Sequence, residues 1–285
     1  MSLKIKEVSK IYGKNIILDN VSINIEPQKI YGLLGNNGAG KSTLLNIINN
    51  RIFSTTGKVE LSGESIFDNE KSLNKIYLMS EDDLYPSKLK INSLFKLTEK
   101  FYGEFDWDLA HQMLEEFELN PSKHLNKLST GYRSIAKLIV ALCVPCDYIF
   151  LDEPVLGLDA NHREMFYNFL LDTYQERLRT FVISTHLIEE IFNLLERVII
   201  LDKGKIIDDN ELEQLLYEAY VLSGPANEIE DLLKDVQVLD KEVLGGATTV
   251  YIKGHITRKS LGNIKVTPMN LQDYFKKVTS RKKVK

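Results

Sequence analysis

The chain reads as an α/β fold: a parallel sheet flanked by helices, an N-terminal antiparallel β-subdomain, a helical subdomain and a small C-terminal α/β extension. Three observations predict it. Continuous apolar runs at Ile30–Leu34, Tyr148–Leu151, Phe181–Ser184 and Val198–Leu201 suit parallel strands covered on both faces. The stretch from Asn161 to Gln175 between two of these runs has the length of a βαβ crossover helix. Near the start, Leu3 and Ile5, then Val21, Ile23 and Ile25, alternate with polar residues as half-buried antiparallel strands do.

Further elements follow in order. Gly57–Leu61 and Lys75–Met79 read as strands. From Ser87 to Ala141 helical spacing takes over, with Leu94, Leu97 and Phe101, then Leu109, Met113, Leu114 and Phe117. Ser129 stands as an N-cap before a helix carrying Ile135, Leu138, Ile139 and Leu142. After Lys203-Gly204-Lys205 the core pattern ends. A looser piece follows from about 212, with a helical stretch near Glu228 to Asp235 and a strand near Thr248 to Ile252.

Composition narrows the function classes. The 285 residues, 44% hydrophobic and 27% charged, are ordinary for a globular chain. A net charge of −4 argues against general nucleic-acid affinity. Two cysteines cannot build a disulfide framework, which points to a reducing cytosol. Cys143-Val144-Pro145-Cys146 has the spacing of a redox or metal pair, but no further cysteine completes a zinc site, so a structural turn is the better reading. The longest apolar run, Leu138–Cys146, falls short of the roughly 20 residues of a spanning helix. The first residues show no signal-peptide core, so any membrane link is expected through a partner. The basic residues Lys276, Lys277, Arg281, Lys282, Lys283 and Lys285 read as a solvated tail, with contact to anionic lipid headgroups as the alternative.

Chemistry concentrates in two stretches. Gly35-Asn36-Asn37-Gly38-Ala39-Gly40-Lys41-Ser42-Thr43 fits a phosphate-binding loop between a strand and a helix. Its glycines let backbone N–H groups wrap phosphates, and the helix N-terminus favours negative charge. Lys41 would reach the β- and γ-phosphates of ATP, and Ser42 would bind Mg²⁺. Downstream, Tyr148-Ile149-Phe150-Leu151-Asp152-Glu153-Pro154 ends a buried strand in two carboxylates. Asp152 suits a Mg²⁺ contact, and Glu153 suits a general base for the water that attacks the γ-phosphate.

Leu128-Ser129-Thr130-Gly131-Tyr132-Arg133 resembles the signature motif of ATP-binding-cassette (ABC) proteins, Gly157-Leu158-Asp159 their D-loop, and Ser184-Thr185-His186 their switch histidine. Tyr12 stands where that family places an aromatic residue on adenine. The resemblance covers residues 2 to about 210 and implies a P-loop NTPase core. It further implies a nucleotide-binding domain at 1–210, with its helical subdomain at about 87–145, and an accessory or regulatory extension at 211–285. Ser129 and Gly131 would grip the γ-phosphate held by the opposite subunit of a head-to-tail dimer, a second copy or a paralogous ATPase, and His186 would serve catalysis. Separate transmembrane permease subunits would hold the chain at the inner face of the cell membrane. The short extension resembles that of exporter subunits, so export, of peptides or antimicrobial compounds, is the expected direction. A soluble cassette ATPase acting on ribosomes or DNA is the alternative. Two departures stand out. Thr130 and Tyr132 replace a glycine and a glutamine of the usual signature, and Ser80 falls where the family carries a metal-touching glutamine, with Glu81 next to it. A serine is too short to copy that contact.

Overall fold

The computed structural model describes residues 2–280 apart from 83, 87, 231, 234, 235, 245, 246 and 257–261. Strands β1 (Leu3–Tyr12) and β2 (Asn15–Ile25) form an antiparallel hairpin, and β3 (Ile30–Leu34) enters the centre of a second sheet. Helix α1 (Lys41–Ile48) leaves the phosphate loop and is followed by β4 (Thr56–Leu61), the short β5 (Glu64–Ser65), α2 (Glu70–Leu73) and β6 (Ile76–Met79). The helical stretch comprises α3 (Ile91–Tyr102), α4 (Trp107–Glu116) and α5 (Thr130–Cys143). Then come β7 (Tyr148–Asp152), α6 (Ala160–Glu176), β8 (Thr180–Thr185), α7 (Ile188–Ile191), β9 (Arg197–Asp202) and β10 (Lys205–Glu211). The last part contains α8 (Leu212–Glu218), β11 (Ala219–Gly224), α9 (Ala226–Glu230), β12 (Gln237–Leu244), β13 (Ala247–Lys253), β14 (Lys265–Pro268) and α10 (Leu271–Thr279).

The central sheet has the order β10-β9-β3-β8-β7-β6, parallel except for the antiparallel edge strand β10. Strand alternation divides its side chains between two cores. Tyr31, Leu33, Leu78, Tyr148, Phe150 and Ile199 face α1 and the N-terminal sheet β2-β1-β4-β5. Leu34, Tyr77, Ile149, Leu151, Ile183 and Ile200 face the helical side with α3–α6. The same parity puts Asp152, two residues beyond Phe150, on the α1 side of the sheet, toward the phosphate loop.

The C-terminal part differs from its sequence reading. The core pattern does not end at Lys205, because β10 extends the central sheet to Glu211. Helix α9 spans Ala226–Glu230, and of the rest of the expected stretch Asp231, Lys234 and Asp235 lie outside the described residues. The four strands β12-β13-β11-β14 form an antiparallel sheet, with α10 capped by Asn270, whose Oδ1 accepts from the Asp273 amide at 2.7 Å. Leu222, Ile229, Val250 and Ile252 give this sheet a small core. Leu212, Leu215, Ala219, Met269, Leu271, Tyr274 and Phe275 belong to the helical-side core itself. Lys277 of the basic run pairs with Asp240 and Glu242, whereas 281–285 lie outside the described residues.

Candidate functional site

The site assembles at the carboxyl ends of the parallel strands, where open α/β sheets place their ligands. Register explains why. Leu34 of β3 pairs with Thr185 of β8, and Asp152 of β7 pairs with Ser184, so three loops leave the sheet side by side. Gly40 caps α1 at φ 109°, a left-handed conformation natural to glycine, and a Cβ there would lie 3.0 Å from the Ile17 carbonyl oxygen. The loop thereby turns its amides toward a cavity of about 510 Å³ at the start of α1.

Asn37, Gly38, Ala39, Gly40, Lys41, Ser42 and Thr43 line that cavity, together with Asp152, Glu153 and His186. Gly35 and Asn36 support it from behind. The Gly35 carbonyl accepts from Lys41 Nζ at 2.7 Å, and the Asn36 carbonyl accepts from the Ala39 amide at 3.0 Å. Lys41 is 7% exposed, and its Nζ lies 3.9 Å from Glu153 Oε1. Burial lowers its pKa, and the Glu153 and Asp152 charges oppose that shift. Asp152, 4% exposed, has its pKa raised by burial, while hydroxyl groups of Ser42 and Ser184 donate to it and favour the charged form. The Ser184 bond measures 2.9 Å.

Glu153 has φ 47°, a left-handed backbone uncommon for a side chain of its size. Its amide donates to the Ser184 carbonyl at 2.8 Å, tying the strained residue to β8. Its Oε2 accepts from Thr185 Oγ1 at 3.2 Å and lies 3.0 Å from His186 Nδ1. Lys41, Glu153 and His186 thus form one cluster, drawn from three loops far apart in sequence. Ser42 and Asp152 offer adjacent hard oxygen donors, one of them a buried carboxylate, which fits a Mg²⁺ ion.

Other expected residues stand elsewhere. Tyr12 is 51% exposed at the end of β1, with Lys10 Nζ 4.7 Å above its ring, and does not line the cavity, whereas Ile17 does. Ser129 caps α5, its Oγ accepting from the Tyr132 amide at 3.3 Å. Gly131 abuts the Gly157 carbonyl, which would lie 2.7 Å from any added Cβ. Neither Ser129 nor Gly131 lines the cavity of its own chain. Ser80 is buried, with its hydroxyl directed to the Asp82 carbonyl at 3.4 Å, and its neighbour Glu81 reaches the cavity wall. Of the two, Glu81 and not Ser80 lines the cavity. Ile17 and Leu156, both cavity-lining, carry no chemical signal in the sequence and emerge only from packing. Cys143 and Cys146 are buried and unbridged, and burial pushes the Cys146 thiol up to about 12. Among the described residues no cluster of metal-ligating His, Cys, Asp and Glu side chains occurs and no helix is long and apolar enough to cross a membrane.

Comparison with known proteins gives the family. The family pattern described as "ABC transporter" matches residues 18–156. An uncharacterized ABC transporter ATP-binding protein of Methanocaldococcus jannaschii is 32% identical over 227 residues, covering 75% of this chain and 79% of the relative. The chain belongs to the ATP-binding subunits of ABC transporters. Within that family, the bacitracin transport ATP-binding protein BcrA of Bacillus licheniformis is 28% identical over 97% of this chain and 96% of its own length. The petrobactin import ATP-binding protein YclP of Bacillus subtilis is 29% identical over 85% of this chain and 98% of its own. A dimeric ATP-binding cassette solved in a post-hydrolysis state with ADP and Pi superposes with a TM-score of 0.65 at 28% identity, covering 74% of this chain and 98% of that one. The protein is thus an ABC ATPase with the cassette fold.

Proposed function

We propose that this ABC ATPase powers an exporter, working as a head-to-tail pair with a second copy or a paralogous subunit and driving separate transmembrane permease subunits from the cytoplasmic face of the membrane. The observation that carries the reading is the Lys41–Glu153–His186 cluster beside the phosphate loop, with Ser129 and Gly131 outside that cavity. A signature that lies outside its own chain's nucleotide cavity is free to serve a partner's. Export of a peptide or antimicrobial compound is favoured by the near full-length similarity to a bacitracin transport subunit.

In this reading the loop amides from Asn37 to Thr43 and Lys41 hold the ATP phosphates. Ser42 and Asp152 would hold Mg²⁺, which would supply charge neutralisation for the transferred phosphate. Glu153 takes the proton of the attacking water, and His186, 3.0 Å from the same carboxylate, holds it in place. Ser129 and Gly131 close on the γ-phosphate of the other chain, so binding shuts the pair and hydrolysis opens it.

The test is Glu153→Gln in the full-length chain, read by phosphate release and by size-exclusion chromatography with Mg-ATP. General-base loss lowers rates by roughly 10²- to 10⁴-fold, so hydrolysis is expected to fall within that range while an ATP-bound dimer accumulates. Hydrolysis at the parent rate overturns the assigned chemistry. Co-purification from native membranes with a multi-spanning protein tests the permease, and its absence from such preparations counts against transport.

A further inference from the structure

Helix α5 carries a lysine in an unexpected place. Lys137 lies on the core-facing side of the helix, only 6% exposed, among Ile135, Ala136, Leu138 and Ile139. A buried ammonium group is costly unless its donors are satisfied. Lys137 Nζ donates to three successive backbone carbonyls, those of Ser80 at 3.4 Å, Glu81 at 2.9 Å and Asp82 at 3.1 Å. All three acceptors lie on one stretch of chain.

That stretch opens the loop between β6 and α3, and its residue Glu81 lines the nucleotide cavity with Lys41, Asp152 and Glu153. The loop has other anchors, since Tyr77 and Tyr85 hydroxyls meet at 2.9 Å and Arg51 Nη2 donates to the Leu78 carbonyl at 2.7 Å. They hold Tyr77 and Leu78 before the segment that Lys137 grips and Tyr85 after it. At the other end of α5, about two turns back from Lys137, stand the cap Ser129 and Gly131. A rigid helix therefore joins the signature at its N-terminus to the backbone that carries Glu81.

We propose that Lys137 is a positioning residue for ATP hydrolysis, fixing the Glu81 carboxylate in the nucleotide cavity by holding the backbone of residues 80–82 against α5. The inference rests on hydrolysis taking place in that cavity. Its consequence is that movement of the signature helix carries Glu81 with it, so the cavity of one chain registers engagement of that chain's own signature. The substrate class is unchanged, and the reaction gains one positioning group and one cavity-lining carboxylate.

The experiment compares the full-length parent chain with Lys137→Met, Glu81→Ala, the double variant and Lys137→Arg. Steady-state kcat and KM for Mg-ATP are measured beside thermal unfolding. Misplacing a group near the chemistry costs up to about 10²-fold, so kcat is expected to fall about tenfold in Lys137→Met with KM moving less than about threefold. Residues acting through one another are non-additive, so in the Glu81→Ala background the same substitution should change kcat by less than about twofold. Lys137→Arg, which keeps charge and donors, is expected to recover most of the lost turnover. Equal losses in both backgrounds, or parent kcat in a folded Lys137→Met, overturn the proposal. Glu81 is exposed, so Glu81→Ala reports whatever the folding of the lysine variants, and unchanged turnover in it overturns the proposal as well. Glu153→Gln run in parallel separates the readings: if it is inactive while the lysine arms fail, the site assignment stands and only the role of Lys137 falls.

Discussion

Asp152 illustrates how one side chain trades stability for chemistry. Burial raises its pKa, so the folded chain holds its proton to higher pH than the unfolded chain does. The folded state is thus penalised as pH rises through the window between the ordinary and the raised value, and the penalty is full above the raised value. Asp152→Asn keeps the shape and the acceptor for Ser184, so across a pH series the nucleotide-free chain is expected to melt higher than the parent at the alkaline end, with the gain shrinking as pH falls through the raised pKa. The same variant should lose most of the melting-temperature increase that Mg-ATP gives the parent. A lower nucleotide-free Tm for Asp152→Asn would show that burial does not disfavour the charge. Lys41→Ala removes the ammonium that bridges Gly35 and Glu153, and equilibrium binding should show weakened nucleotide affinity with no ATP-dependent dimer. The two cysteines give a third check. The thiolate is the reactive form, and burial holds both thiols protonated, so a thiol reagent at pH 8 should label neither until denaturant is added. Labelling of the native chain would revive a redox role for the pair.

Helix α5 is fixed at both ends by different chemistry. Ser129 caps its N-terminus, while Arg179 Nη1 and Nη2 donate to the Val144 and Leu142 carbonyls at 2.8 and 2.9 Å and satisfy the far end. Its first turn leans on the loop after β7, where Ser134 Oγ donates to the Leu156 carbonyl at 3.2 Å and Gly131 meets Gly157. Leu156 also lines the nucleotide cavity, so that loop touches the signature helix and the phosphate site together. Two substitutions separate capping from contact. Ser129→Ala should cost about 1 kcal/mol of stability through the lost cap. Gly131→Ala should leave the cap intact but force the Gly157 backbone aside, lowering hydrolysis more than it lowers Tm. If the two variants lose stability and activity in the same proportion, the contact has no separate role.

The C-terminal elements share the core of the molecule. Ile188 and Ile191 of α7, just beyond His186, lie in the same core as Leu271, Tyr274 and Phe275 of α10. Asp208 of β10 accepts from Lys253 Nζ at 2.7 Å and from the Tyr274 hydroxyl, which locks the last sheet and helix to the central sheet. A chain ended at Asn210 keeps the phosphate loop, Asp152, Glu153 and His186, so nucleotide binding should persist. Each exposed large apolar side chain costs roughly 1.5–3 kcal/mol, so a Tm lower by about 10 °C or more is expected. An unchanged Tm would show that the extension adds nothing to the cassette, and lost binding in a folded truncate would show that it shapes the site. The strands and the phosphate loop were legible because their signals are local: Ile30–Leu34 carries no polar side chain beyond a tyrosine hydroxyl, Tyr148–Asp152 turns acidic only at its end, and Gly35–Thr43 has few other physical uses. The edge strand β10 was hidden because Lys205–Glu211 is polar and half-exposed, its pairing supplied by β9 rather than by its own pattern. Glu81 rather than Ser80 lines the cavity, where Lys137 grips the backbone of both, and Ile17 rather than Tyr12 lines it from the N-terminal hairpin. Local periodicity and motif spacing are written along the chain, whereas the direction a loop side chain takes depends on contacts from residues more than fifty positions away, which exist only once the sheet has closed.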